Sequence, residues 1–414
     1  MDDSSPLLSP PFPRPHQKRW EKKQGADFIE CDAVFTRDCA LVCRHDADLS
    51  RSTDAAPKFG ASKSRTREID GVTFERGVFA ADLTLAEFRT LRARQAKAET
   101  LGRTREFDGL FPLVTLDEFA KFAARVPVDG GGRRWNDTSS SLSPSPPLPR
   151  RVVGVHVEAK HPLWHSETLP HCASDPAAMV EAVATVLQRH GFASRLERPS
   201  SDFKTDPRWL RAPTFLQCFE PGALAEAHRR RGNGDRGVAE GVPLVQLVDD
   251  GRLVVPGGAA WWPPSADDGR GGRGGGGAGP LTFADLLSDA GLERVAGYAH
   301  AIGPSVAQVL DFPQGRGGGI AAGDYDESVA AFSSLVPRAA KHELAVHAYT
   351  LRDDLVNLDR FKRIGQGAER EAEALFSGAR VEGAFSDHPA RSARLAREER
   401  ERRRKGSSFV KRES

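Results

Sequence analysis

The sequence predicts a parallel α/β fold. Apolar strand-like runs alternate with amphipathic helical stretches, each pair covering about 30–60 residues. The strongest run, Val152-Val153-Gly154-Val155-His156-Val157-Glu158-Ala159-Lys160, is apolar almost throughout and charged only at its end. That pattern suits a parallel strand buried on both faces. A chain of 414 residues is long enough for one large barrel or two domains.

The first strand is Phe28 to Thr36, and it carries two carboxylates. Side chains alternate faces along a strand, so Glu30 and Asp32 share one face and Cys31 points the other way. Two like charges on a buried face repel and lose hydration. A bound divalent cation relieves both costs; an exposed face with two solvated acids is the other solution. Thr36-Arg37-Asp38 reads as a hairpin tip and Ala40 to Cys43 as a second apolar strand, ending in Arg44-His45-Asp46. His45, just past a strand end and close to the acid pair, suits proton transfer near neutral pH.

From Asp46 to about residue 81 the chain reads as polar and irregular. Residues 82–91 then read as an amphipathic helix, with Thr84 and Glu87 forming a capping box. Thr115 or Asp117 caps the next helix. Residues 129–150 are low complexity, and so is the tract 256–280, which lacks a phosphate-loop pattern. Glu158 and Lys160 lie at a strand's C-terminal end, the place of active-site residues in a barrel. His161 and His165 beyond them read as polar loop residues. Residues 176–191 form a helix, with Pro176 at its start and Gly191 past its end. Further strands are expected at 214–219, 242–248, 301–305, 343–350 and 381–387, and helices at 281–296 and 390–405. His347 and Tyr349 share a strand face and line the mouth as substrate-binding candidates.

Composition narrows the function classes. Net charge is +2, which argues against a polyanionic partner. The basic run Arg402-Arg403-Arg404-Lys405 has no interleaved aromatics, so it reads as a solvated helix end and no nucleic-acid partner is expected. No apolar run is long enough to span a bilayer, so no transmembrane segment is expected. The N-terminus is acidic, then proline-rich, which is not the pattern of a secretory signal peptide. A soluble, cytoplasmic protein is the default expectation. Cys31, Cys39, Cys43, Cys172 and Cys218 are odd in number and lack metal-site spacing, so free thiols in a reducing compartment are expected.

One family gathers these features. Gly25-Ala26-Asp27-Phe28-Ile29-Glu30-Cys31-Asp32, Thr36-Arg37-Asp38, Leu41-Val42-Cys43-Arg44-His45-Asp46 and Leu49-Ser50-Arg51-Ser52-Thr53-Asp54 resemble the signature of the glycerophosphodiester phosphodiesterases. The resemblance implies a TIM (β/α)8 barrel over residues 25–396, with a family insertion at about 47–110. It leaves 1–24 as a disordered, proline-rich and polar start and 397–414 as a charged tail. It implies hydrolysis of a small-molecule glycerophosphodiester to glycerol 3-phosphate and an alcohol. Glu30, Asp32 and Glu158 would ligate a divalent cation. An all-carboxylate set suits calcium or magnesium. Lys160 would contact the substrate phosphate and His45 would serve as one of two acid/base groups.

The resemblance has a gap. Family members begin with a strand ending in His-Arg-Gly, which supplies the other acid/base His and a phosphate-binding Arg. No such triplet precedes Glu30, and only 13 residues separate it from His16, too few for a crossover. Strand one is therefore expected to be absent through truncation or divergence. That leaves the barrel open between strands two and eight, with little or no activity. The alternatives are a catalytically inactive barrel that binds metal or phosphodiester, and a relative of the sphingomyelin-cleaving phospholipases D.

Overall fold

The structure, a computed structural model, describes residues 25–96, 102–127, 152–192, 212–230, 242–258, 280–311, 331–352 and 371–410. The segment 1–24, the tract 129–150 and nearly all of 256–280 lie outside those residues.

Twelve strands are described: β1 (Phe28–Phe35), β2 (Leu41–Cys43), β3 (Arg65–Ile69), β4 (Val72–Gly77), β5 (Gly154–Ala159), β6 (Thr214–Cys218), β7 (Leu244–Val248), β8 (Ala301–Pro304), β9 (Leu310–Asp311), β10 (Ala331–Phe332), β11 (Ala345–Leu351) and β12 (Gly383–Ser386). Eight form one sheet in the order β12-β11-β8-β7-β6-β5-β1-β2. All neighbours are parallel except the β1–β2 hairpin. Strands β5, β6 and β7 are buried at every position, which is why their sequences run apolar without alternation.

The sheet curls into an α/β barrel. His156 on β5 and Phe385 on β12 are five strands apart, which is about 24 Å in a flat sheet. Their ring centroids are 4.8 Å apart. Phe28, His156, Phe215, His347 and Phe385 meet in this interior. Gly154 permits the approach, since a Cβ there would fall 2.4 Å from the Phe28 ring. Outward residues such as Val157, Leu216 and Leu244 share a core with Met179, Val183 and Leu187 of the helix Pro176–Arg189, capped by Asp175. Among the described residues no strand joins β12 to β1, so the barrel is incompletely closed on that side.

Several expectations are corrected. Residues 47–81 are ordered, with a helix Ala55–Lys63 and the hairpin β3–β4. Asp70-Gly71 turns this hairpin, with φ of 52° and 78°. Its charged surface hides the strand pattern, yet Leu49, Val78, Leu83, Phe88 and Leu91 build a second core over Val34 and Val42. The capping box at Thr84 is present, but its helix is only Leu85–Phe88. Thr115, rather than Asp117, caps the helix Leu116–Ala123. The expected helix 281–296 divides into Phe283–Leu286 and Asp289–Ala296, because Ser288 caps the second. His165 is no loop residue: it lies in the helix Pro162–Thr168, fully buried against Phe35 and Trp164.

The free-thiol expectation is also overturned. Cys31 bonds Cys43, and Cys39 bonds Cys172, leaving Cys218 as the buried free thiol. The hairpin register explains the first pair: Cys43 lies opposite Ala33, on the same strand face as Cys31. Five cysteines divide into two pairs and one remainder, so an odd count does not exclude disulfides. No helix among the described residues is long and apolar enough to cross a membrane.

Candidate active site

The carboxyl ends of the barrel strands surround a cavity of about 490 Å³. Its walls include Glu30 and Asp32 of β1, Glu158 of β5, Lys160, His45, Tyr349 and Arg352. Six of the seven residues singled out from the sequence therefore meet in one place. The parallel register sets the acids: Asp32 lies opposite Glu158 and Glu30 opposite His156.

Lys160 stands between the acids. Its Nζ is 3.4 Å from Asp32 Oδ1 and 3.2 Å from Glu158 Oε2. Burial opposes a charged Asp32, but Lys160 and then His45 outweigh it and hold this carboxyl down at about 2. Glu30 is exposed on β1, yet desolvation by the surrounding cavity walls, with repulsion from Asp32 and Glu158, raises its carboxyl above the usual range. Glu158 is also well raised, chiefly by burial, with Lys160 opposing and Asp32 contributing. Burial disfavours a charged Lys160, yet Asp32 and Glu158 reverse this and raise it.

One lysine thus faces three carboxyls, and two of them are driven toward the protonated form. A hard divalent cation would supply the missing positive charge, and an all-oxygen donor set matches its preference. Glu30, Asp32 and Glu158 are the residues that would hold it.

His45 follows β2 and keeps two thirds of its side chain exposed at the mouth. Its Nδ1 lies 2.7 Å from Asp46 Oδ1. An Nδ1–H donated to that carboxylate leaves Nε2 as the nitrogen that exchanges a proton with a ligand. Asp46 was not singled out from the sequence, although its adjacency to His45 was visible.

Tyr349 and His347 differ in depth. The Tyr349 hydroxyl donates to the Val248 carbonyl at 2.8 Å, and its ring stands 6.1 Å from that of Phe219, so it forms a wall. His347 is not on the cavity wall. It lies a layer deeper, its Nδ1 3.4 Å from His156 Nε2, and packs against Phe215. Sequence reasoning also missed Arg352 and Asp387, which line the cavity from beyond β11 and β12. The rule that found Glu158 and Lys160, a charged residue at a strand's carboxyl end, would have found both.

These features define an α/β barrel with an acidic mouth at the carboxyl ends of its strands. Residues 19–131 match the Glycerophosphoryl diester phosphodiesterase family. The chain is 25% identical over 366 residues to glycerophosphodiester phosphodiesterase GDPD6 of Arabidopsis thaliana, covering 88% of this chain and 77% of that one. A second Arabidopsis thaliana relative, glycerophosphodiester phosphodiesterase GDPDL6, is 35% identical over 68 residues, 16% of this chain and 9% of its own length. Among solved structures, a phosphodiesterase of Oleispira antarctica in complex with the product sn-glycerol-3-phosphate is 14% identical, at a TM-score of 0.43. The match covers 91% of this chain and 88% of that one. A glycerophosphodiester phosphodiesterase of Agrobacterium tumefaciens is 15% identical, at a TM-score of 0.39, covering 91% and 90%. The family match thus falls on residues 19–131, which include β1, β2 and His45, and the chain is similar over most of its length to a glycerophosphodiester phosphodiesterase.

Proposed function

We propose that the cavity hydrolyses glycerophosphodiesters to glycerol 3-phosphate and an alcohol with the help of a divalent cation, calcium or magnesium. The observation that carries this is the meeting of Glu30, Asp32, Glu158, Lys160 and His45 in one cavity. The name of the curated relative that spans most of this chain supports the substrate class. When bound, the cation would offset the charge of the phosphodiester and of its transition state. Lys160 adds a positive charge beside the site, fixed by Asp32 and Glu158. His45, oriented by Asp46, exchanges a proton at Nε2. Tyr349 and Phe219 form an apolar wall that excludes water from one side.

A second function is binding without turnover. Hydrolysis needs one group to activate the nucleophile and one to protonate the leaving alcohol. His45 is the one histidine on the cavity wall among the described residues. Incubating glycerophosphocholine with the full chain and magnesium, then with a chelator, separates the two. Glycerol 3-phosphate formed with the cation and lost with the chelator supports hydrolysis. Cation binding without product supports the inactive barrel. The two disulfides support an oxidising compartment over the cytoplasm.

A further inference from the structure

Lys160 is already committed to two carboxylates, which leaves open what holds the anionic end of a ligand. Among the described residues, the cavity wall carries four acidic side chains, Glu30, Asp32, Glu158 and Asp387, against Lys160 and Arg352. Lys160 lies within 3.4 Å of both Asp32 and Glu158. A phosphate oxygen placed on Lys160 must share it with these acids. Arg352 lines the same cavity from past the end of β11, with 43% of its side chain exposed.

The setting of Arg352 differs from that of Lys160. Its Nε lies 3.6 Å from Asp387 Oδ2, at the end of β12. Asp387 is shared, because Arg103 contacts the same oxygen. The Asp387 amide is tied to the Leu351 carbonyl at 3.1 Å, which fixes the spacing of the two strand ends. Asp387 therefore meets the guanidinium on its Nε side and divides its own charge between two arginines. A guanidinium also presents paired N–H donors that match two oxygens of one phosphate, which an ammonium cannot do.

We infer that Arg352 is the phosphate anchor of this cavity, taking the non-bridging oxygens of a phosphomonoester or phosphodiester, with Asp387 and Arg103 holding it in place. This rests on the proposed function and assigns a substrate-contacting role to a residue outside the acid cluster. On this account Lys160 serves chiefly as the counter-ion of the acids.

The test is calorimetric titration of glycerol 3-phosphate into the full chain with magnesium, for the wild type and for Arg352→Ala, Arg352→Gln and Arg352→Lys. Arg352→Ala and Arg352→Gln should weaken binding about tenfold or more, and Arg352→Lys should fall between them and the wild type. Glycerophosphocholine kinetics should show a raised KM with a smaller change in kcat. Thermal unfolding of each variant controls for folding, and Arg352→Gln, which keeps most of the side-chain volume, decides the matter if Arg352→Ala unfolds. Wild-type binding matched by both neutral variants within about twofold would overturn the anchor and leave the proposed function standing. A wild-type chain that neither binds glycerol 3-phosphate nor hydrolyses the diester would overturn both.

Discussion

The two flanks of the curled sheet are built differently. On one flank, β1 pairs with β5 over six residues and turns back into β2. Two disulfides secure this hairpin, and the second core, with Leu49, Val78, Leu83, Phe88 and Leu91, closes over it. On the other flank, β12 is four residues long and none of them is fully buried. Its outer contact in the mouth is the Arg103–Asp387 pair. The acids stand on the stapled flank and Arg352 on the lighter one. A cluster of close carboxylates needs a rigid base to hold it together, whereas a half-exposed guanidinium does not.

The sharpest way to break this contrast is Lys160→Met. It leaves Asp32 and Glu158 buried without their counter-ion, and we expect a loss of about 3–5 kcal/mol in the cation-free chain. Chemical denaturation should show part of that loss recovered on adding magnesium, because a bound cation replaces the missing charge. An unchanged denaturation midpoint would place these acids in solvent.

Next in size is the Cys31→Ser/Cys43→Ser double variant. The bridge closes a loop of 12 residues, so its removal should cost about 3 kcal/mol and lower the thermal midpoint. Metal affinity should fall as well, because the pair backs the strand that carries Glu30 and Asp32. A midpoint shift without any change in cation binding would show that the hairpin holds its register unaided.

The smallest effect should fall on the lighter flank. Asp387→Asn removes a partly exposed ion pair and should cost about 1 kcal/mol or less. A larger loss, read by the same denaturation, would mean that this contact closes the open side of the barrel.

Particular residues show what the sequence made legible. The β1–β2 hairpin, β5 and the sites on them were readable, because buried parallel strands are apolar and their charged ends stand out. The Thr84 and Thr115 caps were readable from their Glu partners three residues on. The hairpin β3–β4 was hidden, since its strands are rich in Arg and Glu and only Asp70-Gly71 marked the turn. The disulfides were hidden because pairing depends on strand register and on Cys172 returning to the hairpin tip. His347 shared a face with Tyr349 as expected, but face alone does not give depth: two residues along a strand moved it from the mouth to the layer below.

The measurement that tests the central claim most directly is calorimetric titration of magnesium and of calcium into the wild-type chain and into Asp32→Asn. The account predicts one divalent cation per wild-type chain and affinity at least about tenfold weaker in the variant, which lacks one carboxylate charge of the cluster. Equal affinity in the two proteins would contradict it and place the acids of β1 outside any metal site.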